Sequence, residues 1–281
     1  MSAIVVARNI KSGDSGRAPL ELCLRSALAE PWIDELIIVD QGNSDAISSK
    51  LRGFEADRRD VSVVTVDDNA NAPAAANAGA KVARGRWLLF LDADVVIRRG
   101  AVARLAAAGG GAQAPWIVGG RLLDLNGRER NAVRAGSLSA FSALAVAMGL
   151  RARAPARLRV RVDGSAKPVA AVSGALMLIP RGDFQRLDGF DEGFVSDCAD
   201  LDLCRRAVAA GGSVLFEPDA SAVQFERARS RTRKQAQGLA RFAERSAQTP
   251  AERAFARIAR PALVVVLTLR DWVVGHPPQR R

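Results

Sequence analysis

The chain has 281 residues, 48% apolar and 25% charged, enough apolar content for a sizeable core and too much charge for a polytopic membrane protein. Its 41 Lys and Arg against 30 Asp and Glu give a formal net charge of +11, and the excess is local: residues 1–225 carry 28 basic and 26 acidic side chains, residues 226–281 carry 13 and 4. Cys23, Cys198 and Cys204 with the single His276 have neither the spacing of a zinc site nor the even number of a disulfide framework, which points to a reduced, cytoplasmic chain.

The N-terminal run MSAIVVARNI enters a strand at once and lacks the basic head and apolar core of a signal peptide. Runs rich in β-branched residues predict strands over Ala3–Ala7, Glu35–Asp40, Val61–Val66 and Trp87–Asp92. Between them Pro19–Ala29, Asp45–Phe54 and Pro73–Ala83 have helical spacing. Such alternation builds an α/β fold with a mostly parallel sheet between helices, whose ligands sit at the carboxyl ends of the strands. The loops Arg8–Gly16, Asp40–Asp45 and Asp92–Asp94 follow strands and are therefore the candidate binding loops.

The second half predicts a strand over Trp116–Leu123, an apolar helix over Ser137–Leu150, a loop over Ala152–Lys167 and a strand over Val172–Ile179. A helix over Asp200–Ala210 and short strands over Ser213–Phe216 and Ala220–Phe225 follow. From Arg231 to Val274 the pattern is helical, broken at Pro250 and Pro261. The longest apolar stretches, Ser137–Leu150 and Ala262–Leu269, fall short of the ~20 residues that cross a bilayer. One domain over 1–225 with a basic helical extension over 226–281 is the organisation this predicts. Arg151, Arg153, Arg157, Arg159 and Arg161 form a second basic run suited to a polyanionic surface.

Several motifs fall on the predicted binding edge. Asp92-Ala93-Asp94 ends the apolar run WLLFL, and two carboxylates there are costly without a cation or a polar ligand. Mg²⁺ or Mn²⁺ held by one or two carboxylates plus substrate phosphates is the usual solution. The competing reading has Asp92 capping a following helix and Asp94 solvated. Asp40, Ser44 and Asp45 offer acceptors and donors for a nucleoside, or Ser44 and Asp45 simply cap the next helix. Asn77, in NANAPAAANAG, either faces the same crevice or lies among small residues that allow close helix–sheet packing. Gly174 marks either a close approach of the backbone to a ligand or a bulge. Asp191 and Glu192 are candidates for acceptor hydroxyls or parts of a helix-flanking turn. Asp197 lies just ahead of a helix, where its charge suits the dipole, and Asp202 is expected to face solvent or Arg206.

LIIVDQGNSD, NANAPAAANAGAKVARGRWLLFLDADVV, GGRLLDLNG, VSGALMLIPRGDF and GFDEGFVSDCADLDLCRR, in that order, resemble the family-2 glycosyltransferases over about residues 3–225. The resemblance implies the nucleotide-diphospho-sugar transferase fold called GT-A and an inverting transfer. It implies that Asp40 contacts the donor nucleoside, that Asp92 contacts ribose or sugar, and that Asp94 binds the divalent ion bridging the diphosphate. Asp200 takes the general-base position, a role in which a carboxylate removes the acceptor hydroxyl proton. The segment with Asp197 and Asp200 is similar to the rhamnosyltransferase branch, which makes deoxythymidine-diphosphate-rhamnose a candidate donor. Three positions depart from the family pattern: Ala199 stands for the Glu before the base, Gln224 for the late His, and Ala7-Arg8-Asn9 for the first-strand turn.

The expected partners are a nucleotide-sugar donor, a carbohydrate or polyprenyl-diphosphate-linked acceptor of cell-surface polysaccharide, and an anionic membrane surface on the cytoplasmic side. Leu263–Leu267, Leu269, Trp272 and Val273 suit shallow insertion at that surface or packing on the body. Nucleic acid is not expected, because the basic tail lacks a recognised reading motif and interleaved aromatics. The rival class is a binding module that keeps the fold without turnover, to which Ala199 and Gln224 point.

Overall fold

The computed structural model describes residues 1–8, 10, 14–130, 133–134, 165–195, 198–225, 232–247, 249–250, 252, 254 and 257. The expected helix over Ser137–Leu150, the arginine run 151–161, Asp197, and the apolar tail around 262–274 lie outside the described residues.

The first half follows the expected alternation: β1 (Ser2–Arg8), α1 (Asp14–Leu28), β2 (Glu35–Gln41), α2 (Asp45–Asp57), β3 (Val61–Val66), α3 (Ala72–Val82) and β4 (Trp87–Asp92). Then come β5 (Val95–Ile97), α4 (Ala101–Gly109), β6 (Trp116–Leu123), β7 (Val133–Arg134), β8 (Lys167–Pro168), β9 (Ala171–Val172) and β10 (Leu176–Pro180). The remaining elements are α5 (Arg181–Arg186), α6 (Ala199–Ala209), β11 (Ser213–Gln224) and α7 (Thr232–Ser246).

The main sheet has the order β3-β2-β1-β4-β10-β6-β11-β5, with β8 paired to β11, while β7 and β9 form a separate pair. Strands β3, β2, β1 and β4 run parallel, and β10 is antiparallel to both neighbours, β4 and β6. That reversal matters for the site. The carboxyl end of β4 meets the beginning of β10, with Leu91 opposite Leu176, so the turn Gly174–Ala175 reaches the binding edge. The carboxyl end of β11 reaches the same edge because β11 runs parallel to β6.

Alternation along the strands divides the core in two. Ile4, Ile37, Val39 and Phe90 face one cluster with residues of α3, α5, α6 and α7; Ala3, Val5, Leu36, Ile38 and Leu89 face the other with residues of α1, α2 and α4. A parallel strand buried on both faces has no polar side to show water, which is why these runs are almost wholly apolar. Gly79 of α3 lets that helix close onto the sheet: a Cβ there would sit 2.7 Å from Ile4 Cγ2 and 2.9 Å from Val39 Cγ2. The small residues of NANAPAAANAG thus serve close packing.

Several boundaries differ from expectation. Val172–Ile179 is not one strand, because the turn at Gly174 separates β9, in the small sheet, from β10, in the main one. Residues 213–224 are one strand with a register shift between Glu217 and Ser221, where two short strands were expected. The short helices α4 and α5 were not foreseen. Of the two readings of Asp202, the pair with Arg206 holds and solvent exposure does not: Asp202 is fully buried, and Arg205 and Arg206 pair with its two oxygens at 2.9 and 2.7 Å. Helix α7 buries Ala240, Phe242 and Ala243 in the same core as α6. Among the described residues no helix is long and apolar enough to cross a membrane.

Candidate active site

The carboxyl edge of the sheet holds a cavity of about 340 Å³. Ile4 and Val6 of β1, Phe90 and Asp92 of β4, Gly174 and Ala175 before β10, Asp200 of α6 and Gln224 of β11 all line it. Asp94 lies beside it, joined to Asp92 through Gln224, whose Nε2 stands 3.5 Å from Asp92 Oδ2 and 3.4 Å from Asp94 Oδ1. The alternative in which Asp92 caps a helix fails, because the residues that follow form β5 and not a helix.

Each side chain is set by a local device. Asp92 ends β4 level with Val6 of β1, and its backbone N–H donates to Ala175 O at 3.3 Å, tying β4 to the turn before β10. Its side chain opens to the water of the crevice while protein surrounds it elsewhere. Burial first, then the negative charges of Asp94 and Asp200, push its carboxyl up to about 7. Asp200 is the second residue of α6. Its Oδ2 accepts from the Gly174 N–H at 3.0 Å and its Oδ1 from the Leu201 N–H at 2.8 Å, so the carboxylate is held against the cavity wall. The helix cap is Cys198, in the left-handed region at φ 74°, and not Asp200.

On the expected nucleoside side, Asp40 is the last residue but one of β2, level with Ala7, and is buried. Asn43, which no motif singled out, organises this corner. Its Nδ2 donates to Asp40 Oδ1 and to Ala7 O, both at 2.7 Å, and its Oδ1 accepts from the Ile10 N–H at 2.8 Å. Ser44 is exposed in the N-cap position of α2, where its side chain makes no capping bond. The beginning of α3 is capped instead by Asn71, whose Oδ1 accepts from the Ala74 N–H at 2.9 Å.

The remaining candidates do not join the Asp92 cluster. The Asn77 amide is engaged with the loop after α5: Nδ2 donates to Phe190 O at 2.8 Å and to Glu192 Oε1 at 2.9 Å, and Oδ1 accepts from the Phe190 N–H at 2.9 Å. Glu192 also takes a bond from Asn71 on its carbonyl. Asp191 is gripped from α7 by Arg241 and Arg245. Burial pushes its carboxyl up, but those two arginines and the Gly193 N–H outweigh this and hold it well below the usual carboxylate range. These three residues instead line a second cavity of about 620 Å³ beside α5, and Phe190 lines both.

The donor set suits a hard divalent cation. Asp92 and Asp94 contribute carboxylate oxygens, and rotation of the Gln224 amide would turn its carbonyl oxygen to the same point. Among the described residues no three His, Cys, Asp or Glu side chains converge for a metal. The protein's share of such a site is thus small, as expected where phosphate oxygens complete the coordination of Mg²⁺ or Mn²⁺. The cysteines play no part in this: Cys23, Cys198 and Cys204 are buried, no disulfide joins them, and burial pushes the Cys204 thiol up to about 12.

Comparison with known proteins agrees with this geometry. Residues 2–122 match the family described as Glycosyl transferase family 2. The chain is similar to the rhamnosyltransferase WbbL of Escherichia coli (strain K12), 38% identical over 53 residues, which are 19% of this chain and 20% of that protein. It is also similar to the succinoglycan biosynthesis protein ExoO of Rhizobium meliloti (strain 1021), 34% identical over 91 residues, 31% of this chain and 26% of that one. The matched stretches thus span about a fifth to a quarter of these curated relatives. In structure the chain resembles GalNAc-T7 solved with UDP, GalNAc and Mn²⁺, with a TM-score of 0.63 and 16% identity over 81% of this chain and 43% of that one. Residues 2–122 thus match the family-2 glycosyltransferases in sequence, within a chain whose fold is that of GT-A.

Proposed function

We propose that the protein is an inverting glycosyltransferase that moves a sugar from a nucleoside diphosphate to a carbohydrate or polyprenyl-diphosphate-linked acceptor in cell-surface polysaccharide synthesis. One observation carries the reading: Asp92 of β4 and Asp200 of α6 line one cavity at the carboxyl edge of the sheet, with Asp94 beside it. In this reading Asp40 and Ser44 receive the nucleoside and Asp92 the ribose or sugar. Asp94, with Asp92 and Gln224, would hold Mg²⁺ or Mn²⁺, and such an ion supplies charge stabilisation to the departing diphosphate.

Asp200 removes the proton of the acceptor hydroxyl. The acceptor oxygen then bonds to the anomeric carbon from the face opposite the diphosphate, the bond to the diphosphate oxygen breaks, and its electron pair leaves with the phosphate. The backbone N–H groups of Gly174 and Leu201, each donating to one oxygen, keep the Asp200 carboxylate aimed at the cavity. Asp191, Glu192 and Asn77 shape the acceptor side through the loop that carries Phe190. The similarity to WbbL supports a deoxyhexose such as rhamnose among the donors to be tried, and the similarity to ExoO supports polysaccharide synthesis. The 13 basic and 4 acidic residues of the C-terminal segment support docking on an anionic membrane surface from the cytoplasmic side.

A panel of nucleotide sugars tested for binding and transfer with and without Mn²⁺ decides the matter. Transfer of one sugar, abolished in Asp200→Asn, is the expected result. Donor binding without any transfer or hydrolysis would favour the second reading, a nucleotide-sugar-binding module, to which Ala199 beside the base and Gln224 between the two acids both point.

A further inference from the structure

Residues 123–130 form a tight hairpin after β6. Asp124 Oδ1 accepts from the backbone N–H groups of Asn126 at 2.9 Å and Arg128 at 2.8 Å, and Gly127, at φ 73°, turns the chain. Leu123 and Glu129 then bridge, and the Arg130 N–H donates to Leu122 O at 2.8 Å. This brings Arg130 back to the edge from which β6 has just left. Its guanidinium lines the cavity, and its Nη2 donates to Gln224 O at 3.0 Å. The side chain of that same Gln224 spans Asp92 and Asp94 on its other side.

Among the described residues, Arg130 is the single basic side chain lining this cavity, where Asp92 and Asp200 bring two carboxylates. A cavity so charged meets a donor whose diphosphate is itself anionic, and that diphosphate gains charge as it leaves. The acidic pair and an amide, without an imidazole, make a sparing set of metal ligands. A guanidinium in a fixed place is the complementary device, since its planar fork pairs with two phosphate oxygens at once.

We propose that Arg130 is a diphosphate-binding residue, which takes two oxygens of the donor's diphosphate from the cavity wall and shares with the cation the charge of the leaving group. The inference rests on the reading of the cavity as a nucleotide-sugar site. It adds that part of the affinity for diphosphate is independent of metal.

The test is calorimetric binding of uridine, thymidine and guanosine diphosphates, and of the matching nucleosides, to the full chain in Mn²⁺ and in EDTA. Arg130→Gln is expected to weaken diphosphate binding about tenfold to a hundredfold, the usual loss for a charge-assisted hydrogen bond, and to leave nucleoside binding unchanged. Arg130→Lys, which keeps the charge and loses the fork, is expected to fall between; it carries the test alone should the Gln variant not fold. Equal affinity of wild type and variants for the diphosphate would overturn the proposal, as would an equal loss for nucleoside and diphosphate, which would make the guanidinium a prop for Gln224. Failure of the wild type to bind any diphosphate in Mn²⁺ would instead overturn the nucleotide-sugar reading itself, and this proposal with it.

Discussion

Asp191 and Arg241 are joined by a forked ion pair: Arg241 Nη2 lies 2.8 Å from one carboxylate oxygen and Arg241 Nε 3.2 Å from the other. Arg245 adds a second guanidinium at 2.6 Å, and Arg241 also stacks over the Phe194 ring at 5.4 Å. The loop that carries Phe190 is thereby fastened to α7 on one side, while Asn77 fastens it to α3 on the other. Helix α7 is in this way tied to the loop whose Phe190 lines the candidate cavity.

Asp191→Asn should lower stability by about 1 kcal/mol, a modest loss because both arginines remain substantially exposed to solvent. The folded Asp191 carboxyl titrates below its unfolded value of about 3.9. Its contribution is therefore complete above about pH 4 and disappears as pH falls through the folded value. Urea midpoints of wild type and variant should differ by a constant amount between pH 5 and 7 and converge below pH 4. A difference that persists undiminished in acid would show that the charge is not what holds the loop.

Asp200→Asn should lower transfer at least about a hundredfold, the ordinary share of a general base. The geometry adds a cost that a simple cap would not bear. Both carboxylate oxygens accept backbone N–H bonds, from Gly174 and Leu201, and an amide can offer an acceptor to only one of them. A stability loss of about 1 kcal/mol is expected alongside the loss of rate. Wild-type turnover in this variant would remove Asp200 from the chemistry.

Asp94→Ala should abolish most transfer, and excess EDTA should do the same to the wild type, because diphosphate departure loses stabilisation typically worth several kcal/mol. Gln224→His should tighten Mn²⁺ binding, since an imidazole replaces an amide at a point 3.4 Å from Asp94 Oδ1. Manganese titration followed by electron paramagnetic resonance reads both changes. Unaltered Mn²⁺ affinity in both variants would place the ion elsewhere.

Gly79→Val should destabilise the protein by about 1–3 kcal/mol through overpacking, because even the first added carbon would press on Ile4 and Val39. Thermal unfolding checks this. A variant as stable as wild type would mean that α3 can lift from the sheet at no cost.

Val61–Val66, Trp87–Asp92 and Trp116–Leu123 were readable to the residue, because β-branched and aromatic runs there end at turn-forming or charged neighbours. Helix α4 escaped notice because AVARLAAAG is so rich in small residues that its periodicity is faint. Strand β10 was hidden inside a longer apolar run, since nothing local says that residues 171–172 and 176–180 pair in different sheets. Asp92 and Asp94 were singled out from their neighbours along the chain, and Asp200 from the family resemblance. Asn43 and Arg130 were not, because their contacts run across the fold: Asn43 joins the ends of two strands, and Arg130 follows Arg128 in a polar turn and reaches Gln224 O. The turn sequence DLNG, directly after a strand that ends at the ligand edge, was the one available signal for Arg130.

The reversed strand β10 also sets an order of assembly. Strands β1 to β4 pair among themselves, so a chain leaving the ribosome can close that half early, with Asp40, Asp92 and Asp94 already on its rim. Among the described residues β5 pairs only with β11, and β6 only with β10 and β11, so both wait for partners made much later. Until β10 slots between β4 and β6, the outer side of β4 presents a row of unpaired backbone groups beside the apolar sequence WLLFL. The half-made sheet is then at its most adhesive, and a nascent chain halted before β10 is a natural client for a chaperone. Arrival of β10 closes that edge and delivers the Gly174 N–H that holds Asp200, so the last sheet repair also fixes a carboxylate on the cavity wall.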